Sequence, residues 1–219
     1  MNHSDYSKNV LIAYYMFTQE SIGMPLPTGK IAEIVKTEIN DHPERIPRLA
    51  YIASLCEGES TPLALYTKAY AYVWAGAGYR NQAIAALTEY IKNDEIPNEL
   101  PDGTINIGGK TVSQRSMQKG WNYMYLAEAY EGEHKFENAY KAYCTALKMC
   151  PSLSPAAIKR SYVLMKIGKI DEAISELKEY YLRKEYDSQL ESSILSHIKK
   201  LEEKKEKGYV YKPRKKSLT

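Results

Sequence analysis

Four histidines, three cysteines and one Gly-Lys-Thr run are the residues whose types could do chemistry in this chain. The histidines His3, His42, His134 and His197 are scattered, with no carboxylate at metal-ligand spacing. His134 reads as an exposed residue of a turn between helices. The cysteines Cys56, Cys144 and Cys150 are odd in number and show no CxxC pair. Cys144 and Cys150 fall six residues apart on one expected helix, on different faces, so they cannot easily bridge. Free thiols in a reducing cytosol are the expectation. Gly109-Lys110-Thr111 matches the last three positions of a phosphate-binding loop, but Thr104 stands where that pattern needs its first glycine. Gly103 is one place out, and no strand–loop–helix setting surrounds the run. Paired carboxylates such as Glu202 and Glu203 lie on a highly charged helix, and no Ser/His/Asp or Cys/His arrangement assembles. The expectation is a protein that is not an enzyme, with no metal and no cofactor.

Charge and composition point the same way. The 219 residues are 44% hydrophobic and 26% charged, ordinary for a soluble globular protein. Twenty tyrosines against two phenylalanines suit a thin layered fold, where a ring is half buried and its hydroxyl meets water. From Lys199 onward the chain holds nine basic and three acidic residues, so the formal +3 conceals a body of net −3 and a basic end. The tail Lys207–Lys216, with Tyr209 and Tyr211, has the makings of a non-specific phosphate contact. A solvated terminus is the plainer reading of such a charge run. No apolar run has the length of a membrane span, and Val10–Phe17 lacks the flanks of a secretory signal. A cytoplasmic protein with no membrane contact is expected.

The elements that must position any site are helical. Ser4-Asp5 or Ser7 caps a stretch running to about Glu20, in which Val10, Tyr14 and Phe17 share a stripe, although its β-branched and aromatic content keeps a strand open. Ile22–Gly29, with two prolines and two glycines, is a linker. Helices follow over about 30–39 and 43–56, broken at His42-Pro43. Thr61-Pro62 is an N-cap followed by proline in the first turn, where its missing N–H costs nothing. Two helices then run over about 62–76 and 80–93. Residues 98–119 interrupt the pattern. Within them Ile105 and Ile107 alternate with polar residues, Gly108-Gly109 provides a two-residue turn, and Val112 returns the strand of a β-hairpin.

Residues 120–187 hold two consecutive 34-residue stretches. The first shows Tyr123, Leu126, Ala127, Tyr130, Phe136, Ala139, Tyr143, Ala146 and Pro151. The second has, in the same places, Ala157, Arg160, Ser161, Leu164, Ile170, Ala173, Leu177, Tyr180 and Glu185. An earlier unit aligns at 64–97, with Ala71 matching Ala127 and Ala83 matching Ala139. It departs from the pattern where Tyr79 stands one place early and Arg80 occupies the aromatic's position. This period and alternation resemble the tetratricopeptide repeat (TPR), two antiparallel helices per unit. The whole arrangement also looks like repeat proteins of Gram-positive bacteria, a likeness that brings no activity with it.

The resemblance implies an all-α, TPR-like right-handed helical solenoid with a small β-hairpin insertion. Its expected divisions are an N-terminal helical segment at 1–60, a unit at 61–97, the insertion at 98–119, two units at 120–187, a capping helix at 188–207 and a basic mobile tail at 208–219. Leu190, Ile194, Ile198 and Leu201 form the apolar stripe of that capping helix. The resemblance further implies that the first helix of each unit lines a concave groove. On this chain the groove places are Leu65, Lys68, Tyr72, Trp121, Met124, Glu128, Glu131, Ile158, Tyr162, Met165 and Lys166. Aromatic and methionine side chains there give contact area at low entropic cost, and the two glutamates favour a basic or amide-rich partner. Clamping of a terminal carboxylate is not implied, because Tyr72, Met124 and Glu128 stand where lysine and asparagine would be needed. The functional expectation is a scaffold binding a peptide or protein segment in the groove. Nucleic-acid association through the tail and self-association through the hairpin are the alternatives, and the N-terminal helices are candidates to fold back and fill the groove.

Overall fold

The structure, a computed structural model, describes residues 6–97, 100, 103–107 and 109–212. The chain forms two compact units, Met1–Asp102 and Gly103–Thr219, divided inside the stretch expected to be an insertion.

In the first unit, Ser7 accepts a hydrogen bond from the Val10 N–H and starts α1 (Lys8–Ile22). Every residue from Val10 to Thr18 is buried. A segment apolar all round is stable as a helix only when it is surrounded, and α1 packs on α2 (Lys30–Asp41), α3 (Arg45–Ser54) and α4 (Pro62–Ala75). That settles the helix-or-strand ambiguity of this segment. Phe17 meets Tyr66, Tyr70 and Trp74 edge-on at 6.1, 6.5 and 6.5 Å, three residues spaced one turn apart along α4. At the end of α1, Glu20 is gripped by Arg45 Nε at 2.8 Å and Arg48 Nη2 at 2.5 Å. Arg48 also donates to the carbonyls of His42 and Pro43, at 2.7 and 3.0 Å, and so fastens the α2–α3 turn. Burial alone would raise the Glu20 carboxyl, but the two guanidinium groups outweigh it and hold the group below its ordinary range. Thr61 caps α4, with Pro62 in its first turn. A 3-10 turn at Ala77–Tyr79 then leads into α5 (Arg80–Asn93). This tight turn, entered through Gly76 at φ +84°, accounts for Tyr79 falling one place early in the repeat.

The second unit opens with β1 (Thr104–Ile107) and β2 (Lys110–Ser113), antiparallel, with Ile105 opposite Val112. Gly109 takes φ +77°, as the hairpin turn requires. Gly108, the other expected turn residue, lies outside the described residues. Five helices follow: α6 (Gln114–Gly132), α7 (Phe136–Met149), α8 (Ser154–Lys166), α9 (Ile170–Arg183) and α10 (Glu191–Glu206). Residues 114–119, expected within the insertion, are helical. Ser113 stands in extended geometry and the Gln114 N–H bonds the Gly103 carbonyl at 2.9 Å, so the hairpin runs directly into α6. Cys150 also differs from expectation. It lies just past α7 in extended backbone, not on the helix with Cys144.

The 34-residue period is visible in three dimensions. His134 and Gly168, one period apart, both turn the chain in left-handed backbone, at φ +58° and +84°. Ala127, Ala139, Tyr143 and Ala146 are buried, as are their counterparts Ser161, Ala173, Leu177 and Tyr180. Helix α6 approaches the end of α7 closely at Gly120. A Cβ there would lie 2.7 Å from Cys150 Cβ and 3.3 Å from the Ala146 carbonyl oxygen. In an open helix, Gly→Ala gains roughly 0.8–1.0 kcal/mol of helix propensity. Here the clash is with atoms on or next to backbone, which cannot swing aside, and overpacking costs about 1–3 kcal/mol. Gly120→Ala is therefore expected to lower the urea unfolding midpoint; a raised midpoint would show that the helices can part at no cost.

Candidate functional site

On α6, Trp121 and Tyr125 stack at 5.6 Å and 29°, one helical turn apart. One turn further along, Glu128 receives Lys159 of α8 at 2.5 Å. The next carboxylate, Glu131, pairs with Lys166 at the end of α8 and also accepts a hydrogen bond from the Tyr143 hydroxyl at 3.1 Å. Side chains of two successive first helices therefore meet on one face, with rings at one end and ion pairs at the other.

Tyr143 is wholly buried, and its hydroxyl points out of the α6–α7 core at this carboxylate. Burial, followed by the charges of Glu131 and Glu128, pushes the Tyr143 phenol far above its ordinary range, so it remains a donor. Tyr125 is raised for the same reasons, burial first and Glu128 second. Beside them, Arg160 Nε lies 3.0 Å from Glu176, and Tyr140 donates to that same carboxylate at 2.8 Å. These contacts tie α7, α8 and α9 together.

The eleven expected groove residues divide sharply. Trp121, Glu128, Glu131, Ile158, Tyr162 and Lys166 are partly exposed on the second unit. Met124 and Met165 require correction. They are 3% and 5% exposed and belong to the two hydrophobic clusters of that unit. The open stripe is turned slightly from the expected one, so that Tyr125 stands where Met124 was expected and Lys159 joins Ile158. Met124 and Tyr125 stand one turn from Trp121, at i+3 and i+4, and so flank its line on opposite sides; the methionine side turned to the core and the tyrosine side stayed open. Leu65 of the first unit is likewise buried. Lys68 there is 15% exposed in its side chain and lies 3.3 Å from both Glu57 and Glu89, an internal clamp between α4, α5 and the turn after α3. Tyr72 stacks on Tyr79 at 6.0 Å.

Tyr162 meets His197 of α10 edge-on at 5.7 Å, with Lys204 Nζ 5.8 Å above its ring. In the segment after α10, expected to be mobile, residues 207–210 are exposed and Tyr211 is partly buried, its ring meeting Phe136 at 5.5 Å. Residues 213–219 of the expected basic tail lie outside the described residues. Phe136, Tyr143, Tyr209 and Tyr211 were not anticipated as part of the site. Only the alternation Tyr-Val-Tyr offered a signal for the last two.

Lys110 and Thr111 lie in strand β2 and α6 begins only at Gln114, so the lysine is not held at a helix N-terminus as a phosphate-binding loop requires. Lys110 instead pairs with Glu185 at 2.7 Å beside a cleft of about 270 Å³ lined by Thr111, Ser113, Ser116 and Ser152. Among the described residues, no three His, Cys, Asp or Glu stand close enough to share a metal ion, and no helix is long and apolar enough to cross a membrane.

Fold and face together define a class: an all-α, TPR-like protein of antiparallel helix pairs that presents a ring-lined, ion-paired surface. No family model matches the sequence, and no curated protein does. Among solved structures the chain is similar to two crystal structures of MamA. One gives a TM-score of 0.48 at 15% identity, covering 94% of this chain and 100% of the other. The second gives 0.45 at 16% identity, covering 83% and 98%. Likenesses this distant bear neither on function nor on partners, and the architecture rests on the helix pairs described above.

The Glu131 network makes a quantitative prediction. Glu131→Ala strands the buried Tyr143 hydroxyl and should cost about 1–3 kcal/mol of unfolding free energy, the penalty of an unsatisfied buried donor. In a Tyr143→Phe background the same substitution should cost markedly less. Equal costs in both backgrounds, measured by urea denaturation as a double-mutant cycle, would show that the two groups are not coupled.

Proposed function

We propose that this protein is a non-enzymatic interaction scaffold that holds an extended peptide or protein segment on the face shared by α6 and α8. The observation that carries the reading is the pairing of Glu128 and Glu131 from α6 with Lys159 and Lys166 from α8, beside the Trp121–Tyr125 stack on α6 and with Tyr162 at helical spacing between the two lysines. Rings supply contact area without much loss of side-chain freedom, and such residues carry much of the energy at protein interfaces. The ion pairs add donors and acceptors already fixed in place, which suits the main-chain amides of an extended ligand. The glutamates favour basic or amide-rich ligand residues near the Glu128 end. Relative to the groove expected from the repeat, this site is confined to the second unit, omits Met124 and Met165, and adds Tyr125 and Lys159.

Selection of displayed random peptides against the full chain tests the reading. Enriched peptides should bind the wild-type chain in solution and lose about tenfold or more in affinity, roughly 1.4 kcal/mol, to the Tyr125→Ala/Glu128→Lys variant. Peptides that bind the variant as well as the wild type would place recognition elsewhere.

A further inference from the structure

The last described residues do not trail away from the second unit. Helix α10 ends in a Schellman turn: Gly208 takes φ +63°, its N–H bonds the Lys205 carbonyl at 3.0 Å, and the Tyr209 N–H bonds the Lys204 carbonyl at 2.9 Å. This turn sends the chain back toward the α6–α8 face. The next residues alternate as an extended strand would. The Tyr209 ring takes the Lys204 ammonium at 4.4 Å, Val210 points outward at 73% exposure, and the Tyr211 ring returns to meet Phe136 at 90°.

The corner that receives Tyr211 is built from residues fixed by other contacts. Glu131, itself tied to the buried Tyr143, holds the Lys166 ammonium, which lies 5.6 Å from the Phe136 ring centre and 5.7 Å from that of Tyr211. An aromatic ring entering here finds the edge-on partner and the cation already in position. Two of these residues, Glu131 and Lys166, belong to the proposed recognition face itself.

We propose that the Phe136–Lys166 corner is a docking subsite for an extended segment carrying aromatic rings at alternate positions, and that the chain's own Tyr209–Lys212 strap is its resident occupant. This inference rests on the scaffold reading of the α6–α8 face and specifies its ligand: an outside peptide of Tyr-x-Tyr type reaches the corner only by displacing the strap. Residues tethered this closely compete at an effective concentration of about millimolar, so the strap holds the affinity of the intact protein down without any further contact.

The test uses the full-length chain and a fluorescein-labelled peptide of the sequence of residues 207–213. Tyr211→Ala leaves the helices untouched and empties the corner. It should bind the peptide about tenfold more tightly than the wild type, and Phe136→Leu added to it, which keeps apolar bulk but removes the ring, should erase the gain. Chymotryptic cleavage after Tyr211 should be several-fold faster in Phe136→Leu than in the wild type. Equal peptide affinity in wild type and Tyr211→Ala, no binding to either, or equal cleavage rates would each overturn the inference. Peptides selected by display that still depend on Tyr125 and Glu128 would in that case leave the scaffold reading standing. Loss of that dependence would remove the scaffold reading, and this inference with it.

Discussion

Helices stack in series only where their backbones come close, and in the second unit that approach depends on residues with almost no side chain. Gly120 packs against the end of α7 with no room for a methyl group, and Ala127, Ala139 and Ala146 continue the seam. Larger side chains, Met124 and Tyr143 among them, complete the core beside this seam. Tyr143 links that core to the surface: its ring is buried and its hydroxyl emerges at Glu131. The close crossing thereby fixes a carboxylate, the carboxylate fixes Lys166, and Lys166 shapes the corner beside Phe136. Packing and the face proposed for recognition are thus linked through one chain of contacts, Tyr143–Glu131–Lys166–Phe136.

The first unit solves its packing differently. Its N-terminal helix is apolar on all sides, and α2, α3 and α4 close around it, with Phe17 set into a ladder of α4 rings. The ion pairs of that unit, Glu20 with two arginines and Lys68 with two glutamates, join helix ends and turns. They satisfy groups that are already half buried, so they act as fasteners and leave little charge to offer a ligand. In the second unit the pairs Glu128–Lys159 and Glu131–Lys166 instead join the two first helices, α6 and α8, across the face proposed for recognition.

Much of this architecture could be read from the residues. The 34-residue period required the same small residues at the same crossings, so Ala127, Ala139 and Ala173 announced the helix pairs, while Ile105 and Val112 announced the hairpin. The orientation of the face was harder. Met124 and Tyr125 lie at i+3 and i+4 from Trp121, on opposite sides of its line, and an apolar methionine suits a core and a binding surface equally well, so spacing alone could not decide which side turned inward. The status of α1 was ambiguous because a short apolar run fits a buried strand or a buried helix. The strap was least legible of all. Tyr211 and Phe136 are far apart in sequence, and no local rule connects a ring after a helix cap with a ring at the start of another helix. Only the glycine at position 208, suited to left-handed backbone, hinted that the chain would turn there.

Ligand recognition is proposed to belong to the face where α6 and α8 meet. Mapping of backbone amide shifts in the ¹⁵N-labelled full chain, on titration with a display-selected peptide, tests it most directly. Shifts should concentrate along α6 from Trp121 to Glu131 and along α8 from Lys159 to Lys166. Shifts confined to the first unit, or to the hairpin and the cleft beside Lys110, would contradict it.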